Sequence, residues 1–243
     1  MIYLYTDFGS SDLYLGQVKA ALLQHAPDTV IIDLCNDLPA YSVRRAAHLL
    51  AAMLTRLQDS HAVLLCVVDP GVGSERRPLA VQVDGSWLVG PDNGLLSVAM
   101  QRAGAVVCHE ILWRPPVLSS TFHGRDLFAP CAALLQRQAL PADSLRVIDD
   151  AICCDTGDDL AEILYLDHYG NALTGLRASK LPPQATLLIG GQRLPQAGTF
   201  SAVSVGTAFW YENSLGLVEI AVNQGRAADL PGMVLGATVA YVA

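Results

Sequence analysis

Short apolar runs typical of buried strands alternate with helical stretches along the first 150 residues, and this alternation ends near Asp149. Strands interleaved with helices predict an α/β fold with a largely parallel sheet that helices cover on both faces. A chain of 243 residues with 52% hydrophobic residues is long enough to bury such a core. The hydrophobic pattern predicts strands at residues 2–5, 29–34, 62–68, 79–83 and 106–111 and helices at 12–25, 42–57, 95–103 and 127–138.

The rest of the chain is predicted to be almost free of helix. A turn-like stretch at residues 156–159 (TGDD) marks the change, and short strand patterns follow, separated by Gly, Pro and Asn. We therefore expect two domains, an N-terminal α/β domain at residues 1–152 and a smaller all-β, barrel-like C-terminal domain at residues 158–243. The predicted strands of the second domain are 160–167, 185–189, 209–212, 217–222 and 234–242.

Charge and composition exclude several classes of partner. A formal net charge of −8 argues against nucleic acid, which requires clustered Lys and Arg. The longest apolar run, residues 62–68, is far shorter than the roughly 20 residues of a membrane helix, and the N-terminus has no basic leader. The six cysteines form no C-x-x-C pair, which is typical of reduced thiols. We expect a soluble cytoplasmic protein that binds neither nucleic acid nor membrane.

Three polar clusters each follow a predicted strand or precede a helix in the first domain. They are TDFG at residues 6–9, DPGVGSERR at 69–77 and TFHGRD at 121–126. Ligands of open α/β sheets bind beyond the carboxyl ends of the strands, so the three clusters predict one shared site. Within it, Arg76 is suited to orient the Asp69 carboxylate, and His123 lies in a bend with Gly124.

Structural explanations compete with each functional one. Asp12 and Asp126 could simply cap helices, the glycines at 71 and 73 could serve only a turn, and a single histidine is more often structural than catalytic. A metal site is a further alternative, since Asp7, Asp69, Asp92, His123 and Asp126 carry hard ligands. No spacing concentrates such ligands on one element, and we therefore predict no metal.

Taken in order, the motifs from residue 6 to about residue 225 resemble those of the adenosine-forming S-adenosylmethionine hydrolases, or S-adenosylmethionine hydroxide adenosyltransferases, which are related to the fluorinase and chlorinase. The matching segments are TDFG with Asp12, VDPGVG with Arg76, PDNGL at residues 91–95, TFHGRD, Asp167 with YGN at 169–171, and Asn213-Ser214.

The resemblance implies hydrolysis of S-adenosyl-L-methionine to adenosine and L-methionine without a cofactor. It also implies a homotrimer with active sites between the first domain of one subunit and the second domain of its neighbour. In the implied triad, Asp69, Arg76 and His123 organise the nucleophile: Arg76 fixes Asp69, while Asp69 and His123 orient water and accept its proton. The implied substrate contacts are Asp7 with the ribose, Asp12, Asp167 and Ser214 with the methionine part, Tyr169 and Asn171 with adenine, and Thr121 and Phe122 in the same pocket.

Two other functions stay open on the sequence alone. One is a halide-using enzyme of the same fold, although the related halogenases carry Tyr-Ser or Tyr-Gly where this chain has His123-Gly124. The other is a module that binds S-adenosylmethionine or adenosine without turning it over. An intact Asp69, Arg76 and His123 favours catalysis, because binding alone does not require a group of residues that orients water.

Overall fold

The computed structural model describes residues 1–57, 59, 61–153 and 158–242. The chain divides into two compact units, one made of Met1–Ala51 with Leu57–Gly157 and the other of Ala52–Arg56 with Asp158–Ala243. Cys154 and the predicted turn residues 156 and 157 lie outside the described residues. Among the helices of the described part, none is long and apolar enough to cross a membrane.

The first unit contains seven strands and four α-helices within the described residues, and a single π-helical turn precedes the last helix. The elements are β1 (Ile2–Thr6), α1 (Leu13–His25), β2 (Ile31–Cys35), α2 (Val43–Leu54), β3 (Val63–Val67), β4 (Pro78–Val83), β5 (Ser86–Pro91), α3 (Ser97–Arg102), β6 (Val106–Ile111), the π turn (Gly124–Phe128), α4 (Ala129–Gln136) and β7 (Leu145–Ile148).

The seven strands form one mixed sheet in the order β2-β1-β3-β5-β4-β6-β7. The prediction of an α/β fold with a large helix-flanked sheet is confirmed. Strands β2, β1, β3 and β5 pair in parallel, whereas β4 pairs antiparallel with β5 and β6, and β7 antiparallel with β6. Only half of the sheet is therefore parallel. The sequence pattern did not predict β5, which lies between β3 and β4 and pairs antiparallel with β4.

Helices cover both faces of the parallel half. Alternate residues of a strand point to opposite faces, and on β1 the side chains of Ile2 and Leu4 join the apolar core formed with α1 and α4. On the other face, the Tyr5 hydroxyl donates a 2.7 Å hydrogen bond to the Ala46 carbonyl in α2. This two-sided burial explains why β1 is apolar at every position rather than alternating.

The second unit is built from two antiparallel sheets. Its strands are β8 (Leu160–Leu166), β9 (Ala172–Arg177), β10 (Thr186–Ile189), β11 (Gln192–Leu194), β12 (Ala208–Glu212), β13 (Leu217–Val222) and β14 (Ala240–Val242). They pair in the orders β12-β13-β9-β8 and β11-β10-β14. A shared core contains Trp210, whose indole N–H donates 2.7 Å to the Ala185 carbonyl.

The prediction of a smaller all-β second domain is confirmed, although its two sheets do not form a closed barrel. The stretch from residue 234 to residue 242, which was predicted to be one strand, begins with a bend and a turn, forms an isolated bridge at Thr238 and contributes strand only at Ala240–Val242. Strand β14 pairs with β10, and the isolated bridges Glu162 with Thr238 and Gln196 with Trp210 join the edges of the two sheets.

Candidate active site

The site of the first unit forms where neighbouring strands send the chain in different directions. Strand β1 lies between β2 and β3, and Thr6 at its end pairs with Val67 at the end of β3. Asp7 and Asp69 follow these two residues within one or two positions, so their side chains emerge at the same edge of the sheet. Such a reversal of strand order is where open α/β sheets bind ligands.

Arg76 holds the Asp69 carboxylate with a two-pronged contact. The Arg76 Nε lies 2.9 Å and 3.0 Å from the two carboxylate oxygens, and Nη2 makes a further short contact with Oδ2. Both side chains are largely buried, at 8% and 5% exposure, and the guanidinium lies over the Phe128 ring. A desolvated two-pronged pair fixes the orientation of the carboxylate as well as its charge.

The same guanidinium also reaches His123. Arg76 Nη2 lies 3.0 Å from His123 Nδ1, which brings the three predicted catalytic side chains into one connected group. The pKa of His123 is lowered from its ordinary value of 6.5, first by burial and then by the positive charge of Arg76. Asp69 and Asp126 oppose this shift, and Arg114 adds to it. The imidazole is therefore held in its neutral form.

Two glycines allow the loops of the site to approach closely. Gly73 has a φ of 82°, and a Cβ there would lie 2.4 Å from the Ser120 carbonyl oxygen. A Cβ on Gly124 would lie 2.8 Å from the ring of Phe8. The glycines of the two motifs therefore do more than turn the chain. A larger residue at Gly73 would push the Asp69 loop away from the His123 loop, and one at Gly124 would push the His123 loop away from the Asp7 loop.

A cleft of about 370 Å³ opens between these loops. Aromatic side chains form part of its wall, and the Phe122 ring makes edge contacts with Phe8 and Tyr14 at centroid distances of 5.8 Å and 5.5 Å. We call this cleft the first-unit pocket. It is lined by the predicted residues Asp7, Asp12, Asp69, Thr121, Phe122 and His123, together with Phe8, Tyr14, Ala40, Tyr41, Val67, Val72 and Gly124.

The two aspartates at the mouth of this pocket differ in their partners. Asp7 Oδ2 accepts a 3.0 Å hydrogen bond from the Tyr41 backbone N–H, and burial, the largest effect, raises the pKa of Asp7. Asp12 accepts a 2.6 Å hydrogen bond from the Leu13 backbone N–H and is the N-cap of α1. Asp12 thus has the capping role considered from the sequence, and it lines the pocket as well.

Asp126 is not a helix cap. The helical segment already begins at Gly124 as a π turn, so Asp126 lies inside it. Its carboxylate pairs with Arg125 and accepts a 2.9 Å hydrogen bond from the Ser119 backbone N–H. Arg125 in turn donates to Gln17 Oε1. These contacts attach the loop that carries His123 to helix α1, and neither side chain lines the first-unit pocket.

The four remaining predicted residues line a separate pocket in the second unit, with a volume of about 820 Å³. Asp167 and Asn171 are bonded to each other there, because the Asn171 backbone N–H donates 2.8 Å to Asp167 Oδ1 and its Nδ2 lies 3.1 Å from Oδ2. Tyr169 is 73% exposed and lies with Ser214 in the wall. We call this cavity the second-unit pocket.

The prediction missed Glu219, a buried carboxylate in the wall of the second-unit pocket. Glu219 accepts a 2.8 Å hydrogen bond from Asn213 Nδ2 and a short one from the Tyr211 hydroxyl. Burial and this bond to Glu219 raise the pKa of Tyr211. The sequence did carry a signal, since Glu219 is the single charged residue within the apolar strand LVEIAV.

No group of three His, Cys, Asp or Glu side chains in the described residues is arranged to hold a metal ion. In the described part of the chain, five cysteines are not joined in disulfide bonds: Cys35, Cys66, Cys108, Cys131 and Cys153.

Comparison with known proteins gives one consistent family. Residues 2–145 match the model of the SAM hydroxide adenosyltransferase N-terminal domain, and residues 161–240 match that of the C-terminal domain. The chain is 37% identical to an (R)-S-adenosyl-L-methionine hydrolase of Thermus thermophilus, with 98% of each chain covered. It is also 37% identical to the enzyme of that name from Salinispora tropica, over 95% of this chain and 93% of the relative.

More distant similarity extends to a fluorinase of Nocardia brasiliensis, at 24% identity over 94% of this chain and 92% of the relative. Among solved structures, an uncharacterized conserved protein from Thermotoga maritima superposes with a TM-score of 0.88 at 28% identity, and all of both chains is covered.

Proposed function

Because the chain belongs to the SAM hydroxide adenosyltransferase family, we propose that it is an enzyme that hydrolyses S-adenosyl-L-methionine to adenosine and L-methionine. The observation that carries this function is the contact of one guanidinium, that of Arg76, with both Asp69 and His123 at the wall of the first-unit pocket. Binding alone gives no reason to join these three groups.

The reaction requires little from the protein beyond the positioning of the substrate and one water molecule. The sulfonium of the substrate is already an excellent leaving group, so methionine departs with the electrons of the C5′–S bond as oxygen bonds to C5′. The protein must hold one water in line with that bond and keep bulk water away. The group of Asp69, Arg76 and His123 lies beside an aromatic wall, and its buried Asp69–Arg76 pair is suited to both requirements.

The contact with Arg76 supports a finer division of roles between Asp69 and His123. A guanidinium only donates hydrogen bonds, so His123 Nδ1 must accept, and the neutral ring then carries its proton on Nε2. We propose that His123 orients the water by donating to it from Nε2. The Asp69 carboxylate takes the proton that the water loses, and one oxygen lone pair stays directed at C5′.

The proposed substrate contacts follow the two pockets. Asp7 binds the ribose hydroxyls, since a carboxylate accepts paired hydrogen bonds from a diol, and Thr121 and Phe122 form the adjoining wall. Asp12, Asp167 and Ser214 meet the ammonium and carboxylate of the methionine part. Tyr169 and Asn171 meet adenine by stacking and by hydrogen bonds.

The first-unit and second-unit pockets lie in different units of the chain, and we propose that the enzyme is a homotrimer that combines the first-unit pocket of one subunit with the second-unit pocket of its neighbour. We further propose that no cofactor takes part. A cytoplasmic location stays a prediction that rests on the free thiols.

Incubation of the purified protein with S-adenosyl-L-methionine, with and without fluoride or chloride, tests the function. We expect adenosine and methionine as products, identified by mass, and an unchanged rate after treatment with a chelator. A halogenated nucleoside would instead identify a halide-using enzyme. Binding of the substrate without any product would leave only a binding module.

A further inference from the structure

The turn PDNG at residues 91–94 does not line the first-unit pocket, yet it contacts the chain beside two of the catalytic residues. Asp92 is buried, and its Oδ2 lies 2.9 Å from Arg77 Nε and 2.7 Å from Arg77 Nη2. The Asp92 backbone N–H donates 2.9 Å to the Arg77 carbonyl, so both the side chain and the backbone of Arg77 are held. Arg77 directly follows Arg76 in the chain.

The neighbouring residue of the turn holds the other side of the site. Asn93 Nδ2 donates 2.8 Å to the carbonyl of Val68, which directly precedes Asp69. Asn93 Oδ1 accepts a 3.1 Å hydrogen bond from the Leu95 N–H, which fixes the amide in this orientation. The turn therefore contacts the residue next to Asp69 and the residue next to Arg76.

The two adjacent arginines pair with different carboxylates. Pro78 favours an extended conformation at Arg77, and consecutive side chains of an extended chain point in opposite directions. Arg76 pairs with Asp69 and His123, while Arg77 pairs with Asp92. If Arg77 rather than Arg76 paired with Asp69, His123 would lose its contact with the Arg76 guanidinium. The Asp92–Arg77 pair prevents this alternative pairing.

From this geometry we propose that Asp92 is a positioning residue for the reaction, which acts through Arg77 to direct Arg76 onto Asp69 and His123. This role rests on the proposed function. This role differs from a general stabilising role, because loss of Asp92 should change the environment of His123. The hydrogen bonds of the Asp92 side chain go to Arg77 and to the Ile152 backbone N–H, whereas His123 meets Arg76.

A matched control for substitution of Asp92 is available, because Arg77 also pairs with a second carboxylate, that of Asp150. Arg77 Nη1 lies 2.6 Å from Asp150 Oδ1, but the Asp150 side chain is 70% exposed, whereas that of Asp92 is 3% exposed. Exposed ion pairs contribute little, while loss of one partner of a desolvated pair is costly. The two carboxylates therefore differ in burial but share one arginine.

The experiment compares D92N with D150N in the full-length protein. For D92N we expect a single-turnover rate about tenfold or more below wild type, since a small misplacement of a catalytic group has effects of this size. We expect substrate affinity to stay within a few fold. In NMR titration of the ligand-free protein, the pKa of His123 should rise, because the positive charge of Arg76 is no longer held beside it, while the effects of Asp69, Arg114 and Asp126 remain. D150N should match wild type in all three measurements.

A folded D92N protein with wild-type rate and wild-type His123 titration would overturn the role of Asp92. If D92N does not fold, R77K replaces it, because a single ammonium cannot span Asp92 and Asp150 as the guanidinium does. The same shift of His123 is then expected, and its absence would overturn the proposal. Failure of the wild-type protein to release adenosine would reject the proposed function, and the NMR titration would still decide the placement of Arg76.

Discussion

Arg76 Nη2 lies 3.0 Å from His123 Nδ1, and this contact determines which ring nitrogen of His123 carries the proton. Because arginine cannot accept a hydrogen bond, the contact exists only while His123 is neutral with its proton on Nε2. Protonation of the ring would place two positive charges face to face and break the contact. The protonation state of one histidine is thereby linked to the geometry of the whole catalytic group.

We expect the single-turnover rate to be constant at neutral pH and to fall as the pH drops through the pKa of His123. Burial and Arg76 lower this pKa, so the fall should be centred below pH 6.5. In R76Q the pKa should rise, and the remaining activity should be lost at a higher pH than in wild type. Rate measurements across pH, paired with NMR titration of the His123 ring, test this link. A wild-type midpoint above pH 6.5 that coincides with His123 would contradict it.

Removal of Asp69 or His123 should affect the chemical step rather than binding. We expect D69N and H123A to slow single turnover by about a hundredfold or more, as is typical when a proton-transfer or positioning group is lost. The dissociation constant of the substrate should change only a few fold, because neither residue is assigned to hold the ligand. Calorimetry and rapid quench separate the two quantities. The exposed His61 offers a control, and H61A should be indistinguishable from wild type.

Asp7 and Asp12 should respond differently to substitution. D7A should weaken substrate binding most, by about tenfold to a hundredfold, the range expected for a lost hydrogen bond to a charged group. D12A should lower stability by about 1 kcal/mol, because it removes the cap of α1.

D12N separates the two roles of Asp12, since asparagine still caps a helix but carries no charge. A stable D12N protein with weakened binding supports contact with the methionine ammonium. Unchanged binding in D12N would leave Asp12 as a cap only. Thermal melts and titration with the substrate give the two readouts.

Glu219 should matter for the second-unit pocket although it was not predicted from the sequence. In E219Q one of the two acceptor oxygens becomes a donor, so either Asn213 Nδ2 loses its acceptor or the Tyr211 hydroxyl must change from donor to acceptor and loses the acceptor for its own proton. We expect a loss of about 1–3 kcal/mol in unfolding free energy. The KM should also rise several fold, because Asn213 orders the turn that carries Ser214. The exposed Glu212 is the control, and an E219Q protein as stable as E212Q would refute this account.

Periodicity predicted β1, β2 and β3 of the parallel half of the sheet, and it failed at β5, where a hairpin interrupts the alternation. Residues 79–83 and 106–111 were predicted as strands, but β5 was not, although Asp84 and Gly85 form a two-residue turn with φ values of 47° and 94°. An Asp-Gly pair is a strong hairpin signal, because both positions favour a positive φ. Attention to this turn would have predicted β5 and its antiparallel pairing with β4.

The residues of the site could be predicted in part because strand ends gather polar side chains at one edge. The pairing of Arg76 with Asp69 was predicted as well, but the other partners of these residues were not. The contact of Arg76 with His123 joins positions 47 apart in the chain, and it depends on the approach of Gly73 to Ser120. The role of Asp92 likewise depends on which arginine it meets, and two adjacent arginines give no basis for that choice in the sequence.

The composite site of the proposed trimer can be tested by mixing two inactive variants. D69N lacks the proton acceptor in the first-unit pocket, and D167N lacks a proposed ammonium contact in the second-unit pocket. We expect each alone to have little activity at substrate concentrations below the KM. In a ring built from head-to-tail interfaces, random mixing in equal amounts gives roughly a quarter of the sites an intact pocket of each kind. Activity should therefore reappear in co-expressed, differently tagged trimers. A site contained within one chain gives no recovery, and light scattering that shows an active monomer would reject the trimer itself.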